Sequence, residues 1–171
     1  MFIVGDAAHR ITPRGGTGMN TAIADGRDVG WKLVWVLRGW APPSLLDTYE
    51  AERRPVAEHN LGRSADPSGS RREVLGELHV DLGGRIGHHW LPGPGALRST
   101  VDLVGPGLTV FAASDVTDAI RGATATRSAA LPVDIVPVDE LTARALGIAR
   151  GELLAVRPDG LPVAREALVA R

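Results

Sequence analysis

The sequence contains no cysteine, only one lysine and no long apolar run. Without cysteine, the chain forms no disulfide, offers no thiol nucleophile and takes no part in dithiol exchange. No apolar run approaches the roughly 20 residues that a membrane-spanning helix needs, and no export signal is recognised. We therefore expect neither a membrane protein nor an exported one, and predict a cytoplasmic location.

Acidic and basic residues nearly balance, with 20 Asp and Glu against 19 Lys and Arg and a net charge of −1. A dedicated nucleic-acid-binding domain usually carries a clear positive excess, so no nucleic-acid partner is expected. Apolar residues occupy 44% of the 171 positions, which is enough for a packed core. The length allows one domain or two small ones.

The first half predicts a strand followed by two helices. Met1–Val4 is a short apolar run that ends at a glycine, as a buried strand does. A helix is expected over Met19–Arg38, with Gly39 just past its end. A second helix is expected to begin at Ser44 as its N-cap. Residues 63–70 are polar and rich in helix breakers, so they predict a loop.

The second half predicts a small α/β arrangement of short strands and helices. Strands are expected at 108–112, 133–136 and 153–156, with helical windows at 116–130 and 140–146 and a terminal hairpin around Pro158-Asp159-Gly160. The whole chain is thus of the α/β class. We place one domain at 1–65, a linker at 66–83 and a second domain at 84–171.

Chemistry is most strongly indicated between Gly5 and Asn20. Asp6 follows the predicted strand, and an acceptor-only carboxylate there suits a sugar-like hydroxyl better than a phosphate. The glycine-rich loop 15–18 leads into a helix N-terminus, which favours negative charge. Neither a dinucleotide fingerprint nor a P-loop fits this spacing. On spacing alone, a plain loop-to-helix turn with a capping aspartate is an equal alternative.

One continuous block of motifs runs from Phe2 to about Ala57. Its members are Gly5-Asp6-Ala7-Ala8-His9, Pro13, Gly16, Gly18, Asn20, Asp25, Trp31-Lys32-Leu33, Leu45-Leu46, Tyr49-Glu50 and Glu52-Arg53-Arg54-Pro55. In order, spacing and residue type, this block resembles the second flavin-contacting segment of FAD-dependent aromatic-ring hydroxylases, the single-component flavoprotein monooxygenases. One departure is Asp28, which stands where the family usually carries Asn.

The resemblance implies FAD as cofactor, NAD(P)H as its reductant and dioxygen-dependent hydroxylation of an aromatic or polyketide substrate. It also implies a role for each matching residue. Asp6 would bind the ribityl chain, and Gly5 before it would belong to the same cofactor site. Pro13 would lie beside the isoalloxazine, and Gly15 and Gly16 would leave room where oxygen reacts. Gly18, Met19 and Asn20 would direct backbone N–H groups at the pyrimidine edge. No residue of this chain is expected to be catalytic, and none to bind a metal.

The second half resembles the branch of that family with a thioredoxin-like C-terminal domain, found in phenol and polyketide hydroxylases. The matching marks are Gly84-Arg85, His88-His89-Trp90-Leu91, Ser99-Thr100-Val101-Asp102-Leu103 and Arg157-Pro158-Asp159-Gly160 with Arg165. The family's ADP-binding turn and substrate sheet have no counterpart here. We therefore expect a C-terminal fragment, namely the helical remnant of an FAD-binding domain followed by a thioredoxin-like domain.

Two alternatives to an inactive partial hydroxylase stay open. In the first, the chain is a non-catalytic binding or assembly module, which can form a homodimer. In the second, it is a half-enzyme completed by a separate polypeptide. Among single residues, His9 is expected to pack or hydrogen-bond rather than act as a base, and Trp31 and Trp35 to lie in the core. His88-His89 is expected at a domain interface, since adjacent histidines point differently and no third ligand is suitably spaced.

The absence of cysteine predicts that the second domain is inert in disulfide exchange whatever its fold. The purified protein should not accelerate insulin-disulfide reduction by dithiothreitol above the uncatalysed rate, whereas a thioredoxin control should. Measurable reduction by the pure protein would contradict this prediction.

Overall fold

The structure is a computed structural model that describes residues 1–13, 16–66, 84–92, 95–113 and 131–163. The chain divides into two compact units, residues 1–83 and residues 84–171. Helices dominate the first unit, and the second contains two small sheets and a short helix. The predicted mixed α/β class is therefore confirmed. None of the helices in the described ranges is long and apolar enough to cross a membrane.

Two long helices dominate the described part of the first unit. A 3-10 turn at Gly5–Ala7 precedes helix α1, Gly18–Leu37, and a second 3-10 turn at Pro43–Asp47 leads directly into helix α2, Thr48–Ala65. Gly39 has φ +69°, and its N–H bonds to the carbonyl of Val36 at 3.0 Å. Such a left-handed residue ends a helix at little cost only when it is glycine. The first predicted helix is thus confirmed within one residue at each end.

Three predictions for this unit are wrong. Met1–Val4 forms no strand, because a strand needs a ladder partner and none of the described strands pairs with it. Ser44 is no helix N-cap, since it lies inside the 3-10 turn that Pro42 and Pro43 initiate. The helix also continues through 63–65, where a loop was expected, because Ser64 is buried and its carbonyl accepts a 3.0 Å bond from Thr12 Oγ1.

Aromatic packing organises the buried face of α1. Trp31 and Trp35 are both buried, one helical turn apart, and their rings meet edge to face with centroids 4.9 Å apart. Val29 is buried on the same helix. Such T-shaped pairs contribute about 0.5–1.5 kcal/mol beyond the area they bury. The interpretation of the two tryptophans as core residues is confirmed.

The second unit is built on a central strand. Strands β1, Trp90–Pro92, and β2, Leu97–Ser99, form an antiparallel pair that the sequence analysis did not predict. The other sheet contains β3, Leu108–Ala113, β4, Val133–Val138, and β5, Leu153–Val156, in the order β4-β3-β5. Strand β3 runs parallel to β4 and antiparallel to β5. The three strands of this sheet were all predicted.

Burial explains why β3 lies in the centre. Five of its six residues are buried, and Phe111 and Ala112 are completely inaccessible. A run of consecutive apolar residues is typical of a strand covered on both faces. Helix α3, Glu140–Ala145, follows β4 and contributes Ala143 to the core. The core of this unit consists of Leu91, Phe111, Val138, Ala143, Ile148 and Val156.

The ends of the second unit agree partly with expectation. Gly160 has φ +84°, its N–H donates to the carbonyl of Arg157 at 2.8 Å, and an antiparallel bridge joins Val156 to Pro162. The predicted tight turn is therefore confirmed. The predicted helix at 140–146 is observed as α3, whereas the helical window at 116–130 lies outside the described residues.

Asp139 is the N-cap of α3, and its ionisation can be followed through the backbone amide that it caps. The backbone N–H of Thr142 donates to Asp139 Oδ1 at 2.8 Å, and this bond holds the pKa of the carboxyl below its ordinary value of 3.8. A lowered folded-state pKa stabilises the fold above the unfolded pKa, and that contribution is lost as the pH falls through the folded pKa. The Thr142 amide resonance should therefore titrate with a midpoint below 3.8.

The matched control is Asp139→Asn, which keeps a capping oxygen but does not ionise. Its Thr142 amide should not titrate, and the stability lost by this substitution near neutral pH should shrink in acid. A Thr142 midpoint at or above 3.8 in the unsubstituted protein would contradict the assignment.

Candidate functional site

The turn that carries Asp6 is packed directly on helix α1. Gly5 is buried with φ +58°, and a Cβ at this position would lie 3.0 Å from the Cβ of Ala22. Both the backbone conformation and the close approach therefore require glycine. The Asp6 side chain is exposed on this 3-10 turn. The chain thus presents a carboxylate at a backbone position that is fixed against α1.

The glycine loop fixes the start of α1 in a similar way. Gly16 has φ +67°, and its N–H donates to the carbonyl of Pro13 at 3.1 Å. Gly18, the first residue of α1, lies against Ile11, whose Cβ is 3.4 Å from where a Cβ of Gly18 would be. Met19 and Asn20 follow it and are exposed.

The N-terminus of α1 is suited to a ligand that carries negative charge. Within the described residues, the N-cap residue Thr17 makes no capping bond from its side chain, and its buried Oγ1 has no hydrogen-bond partner. No acidic residue stands in the first turn. Neither the Thr17 side chain nor an acidic residue of the first turn therefore balances the positive end of the helix dipole in the described part of the chain.

All the predicted cofactor residues that the structure describes lie in these two turns and the first turn of α1. Gly5 is buried and Gly18 half-buried, whereas Asp6, Pro13, Gly16, Met19 and Asn20 are exposed. Gly15 lies outside the described residues. Gly5 and Gly18 pack against protein, whereas the other five described residues are accessible from solvent. A ligand could therefore reach these five residues.

A buried carboxylate that the sequence analysis gave no role holds the first turn in place. Asp25 on α1 is 2% exposed; its Oδ2 accepts bonds from Gly5 N–H at 3.2 Å and from His9 Nε2 at 2.7 Å. Its Oδ1 accepts from Arg53 Nε of α2 at 2.8 Å. Since a carboxylate only accepts, His9 Nε2 carries the proton. This arrangement supports the hydrogen-bonding role expected for His9.

A second chain of bonds joins α2 to the start of α1. Arg53 Nη2 reaches the carbonyl of Thr21 at 3.4 Å, and Asn60 Nδ2 donates to Thr21 Oγ1 at 2.9 Å. Thr21 Oγ1 in turn donates to the carbonyl of Thr17 at 2.9 Å. The N-terminal turn of α1 is therefore held by buried polar contacts from α2 as well as by its own backbone.

The only lysine of the sequence lies at the other end of this helix pair. Lys32 is completely buried; its Nζ lies 2.7 Å from Asp28 Oδ2 and 3.2 Å from Glu52 Oε2. Asp28, the departure from the family pattern, is thus a buried partner of Lys32 rather than a surface residue. A carboxylate at position 28 supplies negative charge that the family's Asn would not.

A cavity of about 830 Å³ lies beside the amino-terminal segment and α2. Phe2, Ile3 and Leu46 give it apolar walls, and His9 and Arg53 border it. None of the predicted cofactor residues lines it. Tyr49, at its edge, donates to the carbonyl of Ile3 at 3.0 Å, and burial, reinforced by the Asp25 carboxylate, raises the pKa of this phenol. The cavity is therefore separate from the predicted flavin contacts.

In the second unit the paired histidines have local partners. His88 Nδ1 lies 2.6 Å from Ser99 Oγ, and its ring meets Trp90 edge to face at 4.7 Å. The backbone N–H of His89 donates to Thr100 Oγ1 at 3.0 Å. These contacts tie the segment before β1 to the end of β2. The expected interface role of the pair stays a prediction.

Comparison with known proteins finds a family match within the first unit. The sequence profile of the FAD binding domain family matches residues 1–64. The FAD-dependent monooxygenase apdD of Emericella nidulans is 52% identical over 81 residues, which cover 47% of this chain and 13% of that protein. A putative polyketide hydroxylase of Streptomyces halstedii is 54% identical over 65 residues, or 38% of this chain and 12% of that protein.

Solved structures resemble almost the whole chain. Aklavinone-11 hydroxylase, in a ternary complex with FAD and aklavinone, matches with a TM-score of 0.77 and 28% identity, over 95% of this chain and 39% of that one. The rebeccamycin biosynthetic enzyme RebC with reduced flavin matches at 0.69 and 31%, over 96% of this chain and 41% of that one. The chain thus spans about two-fifths of the length of these structures.

The buried ion pair of Lys32 predicts an asymmetric mutational response. Lys32→Met should lower the free energy of unfolding by about 3–5 kcal/mol, because it removes the buried positive charge beside the Asp28 and Glu52 carboxylates. The double variant Lys32→Met/Asp28→Asn should recover part of that loss, since one of the two carboxylates that faced the ammonium is then a neutral amide. Urea unfolding followed by far-ultraviolet circular dichroism, to which α1 and α2 contribute strongly, measures both. A double variant less stable than Lys32→Met would contradict this explanation.

Proposed function

We propose that this chain, whose residues 1–64 match the FAD binding domain family, supplies the isoalloxazine-facing part of an FAD site in a flavin-dependent hydroxylase. The complete enzyme would use NAD(P)H and dioxygen to hydroxylate an aromatic or polyketide substrate. The observation that carries the proposal is the pair of glycine-fixed turns on α1, which present Asp6 and an open helix N-terminus.

Asp6 would bind the ribityl chain of FAD. Its carboxylate is exposed, and its backbone is fixed because Gly5 packs on Ala22. A carboxylate accepts two or more hydrogen bonds, and a polyol chain donates them. Asp6 would therefore orient the cofactor without competing for its phosphates, which it would repel.

The N-terminus of α1 would meet the pyrimidine edge of the isoalloxazine. FAD supplies the electron transfer and oxygen chemistry when it is bound. The N–H groups of Gly18, Met19 and Asn20 belong to the first turn of α1, where the helix dipole favours negative charge. Pro13 and Gly16 would border the ring face, and the small glycine would keep that space open. Gly15, outside the described residues, is assigned the same role.

Tight FAD binding by this chain alone is not expected. FAD affinity is divided among adenosine, pyrophosphate and isoalloxazine contacts, and only the last group and the ribityl contact are proposed here. Hydrogen bonds to charged groups contribute about 1.5–3 kcal/mol each, so losing several removes about 4–8 kcal/mol. Because about 1.4 kcal/mol is a factor of ten, the affinity would fall a thousandfold or more.

Isothermal titration of the purified chain with FAD should therefore give a dissociation constant in the micromolar range or weaker. Asp6→Ala should weaken the binding further, by about tenfold or more, because a charged acceptor is lost. The matched control is Asp102→Ala, which removes an exposed carboxylate from a 3-10 turn of the second unit and should leave the affinity unchanged. No aromatic hydroxylation is expected from the chain alone.

Two outcomes would overturn parts of this proposal. A sub-micromolar constant that Asp6→Ala abolishes would show that the adenosine and pyrophosphate contacts are dispensable. Equal weakening by Asp6→Ala and Asp102→Ala would remove the ribityl role of Asp6.

A binding or assembly role is the second candidate, favoured by exposed apolar side chains in both units. Met1–Val4 is exposed on the first unit, and Trp90 and Leu97 on the second. The second unit would then act as a thioredoxin-like packing module, forming a homodimer or completing a separate polypeptide. Binding of added FAD that Asp6→Ala weakens favours the flavin proposal, whereas a well-folded dimer that does not bind added FAD favours assembly. Either role agrees with a cytoplasmic location.

A further inference from the structure

We infer that Asp25 is a positioning residue for the proposed flavin site and acts by holding the Gly5–His9 segment that carries Asp6. This inference rests on the proposed function. The side chain does not belong to the two turns assigned to FAD, and it is 2% exposed. Its effect on a ligand must therefore pass through the residues it holds.

Asp25 binds both ends of that segment. Its Oδ2 accepts from the backbone N–H of Gly5 at 3.2 Å and from His9 Nε2 at 2.7 Å. Between these two attachments the backbone turns, with the N–H groups of Ala8 and His9 both bonded to the carbonyl of Gly5 at 2.8 and 3.0 Å. Asp6 lies inside this closed turn, so its position depends on both attachments.

The charge of Asp25 is balanced from the other helix. Arg53 Nε of α2 donates to Oδ1 at 2.8 Å, and both side chains are nearly inaccessible. A buried carboxylate without such a partner would be strongly disfavoured. Asp25 Oδ2 therefore remains a charged acceptor for Gly5 N–H and His9 Nε2. The bond from Arg53 of α2 to Oδ1 keeps the carboxylate from rotating.

A neutral amide cannot reproduce these contacts. Asn in place of Asp25 has one acceptor and one donor, whereas Gly5 and Arg53 both present donors from opposite sides. In either orientation of the amide, Gly5 N–H loses its charged acceptor, because it faces either an NH2 group, which cannot accept, or a neutral oxygen in place of the carboxylate. The shape of the side chain is conserved, so the substitution changes the hydrogen bonds and the charge rather than the packing.

The test combines hydrogen exchange with FAD titration on the full chain. In Asp25→Asn, the amides of Ala8 and His9 should exchange about tenfold faster or more, because the turn opens more often. The matched control is Asp28→Asn, the same neutralisation one turn along α1, whose partner is Lys32. It should leave exchange in the turn unchanged. Equal exchange rates in Asp25→Asn and the unsubstituted protein would overturn the inference.

A double-mutant comparison separates positioning from a general loss of structure. Asp25→Asn should weaken FAD binding about tenfold, but by less than about twofold when Asp6→Ala is already present, since both act through one contact. Lumiflavin, which lacks the ribityl hydroxyls, should bind both proteins equally. Equal weakening in both backgrounds, or for lumiflavin, would reject the positioning role.

If Asp25→Asn does not fold, as judged by circular dichroism, His9→Ala serves instead, because it removes one attachment and keeps the Arg53 pair. It should accelerate exchange in the turn in the same direction, and unchanged exchange would again overturn the inference. Absence of any FAD binding by the unsubstituted chain would reject the proposed function. In that case hydrogen exchange still decides whether Asp25 holds the turn.

Discussion

The arrangement of the first unit depends on one buried negative charge, the carboxylate of Asp25. Burying an ionised carboxylate is costly unless opposite charge and hydrogen-bond donors surround it. Here a backbone amide and an imidazole from the amino-terminal turn and a guanidinium from α2 supply them. Because each donor is held at a fixed distance, the amino-terminal turn, α1 and α2 have fixed positions relative to one another. The exposed residues proposed to contact FAD inherit their positions from this buried centre.

The elements predicted well from the sequence are those whose signals are local. Gly39 ends α1 in a left-handed conformation. The sequence indicates this end by an isolated glycine after a helical run. Strand β3 was predicted from residues 108–112, a short run of mostly apolar, strand-favouring residues between turn residues. The block that resembles a flavin-contacting segment was recognised through order and spacing over more than fifty positions, and the FAD binding domain family matches residues 1–64.

The errors came from interactions between distant residues. A strand was expected at Met1–Val4, but pairing is a property of two segments and cannot be read from one. The end of α2 was misplaced because Ser64 is fixed by Thr12, 52 positions away. The contacts of Asp25 were missed for the same reason. Its partner Arg53 is 28 positions away, and no local sequence pattern predicts that the two side chains pair. Chemistry that depends on tertiary contacts needs the fold before it can be assigned.

The burial of Lys32 affects the chemical reactivity of the whole chain. It is the only lysine in the sequence, and its ammonium group is enclosed by two carboxylates in the interior. Apart from the histidines, the other basic side chains are all arginines. Acylating reagents and acyl-transferring enzymes modify amines rather than guanidinium groups. In the folded protein, the ε-amine is therefore shielded from acetylation, ubiquitination and amine-directed cross-linking.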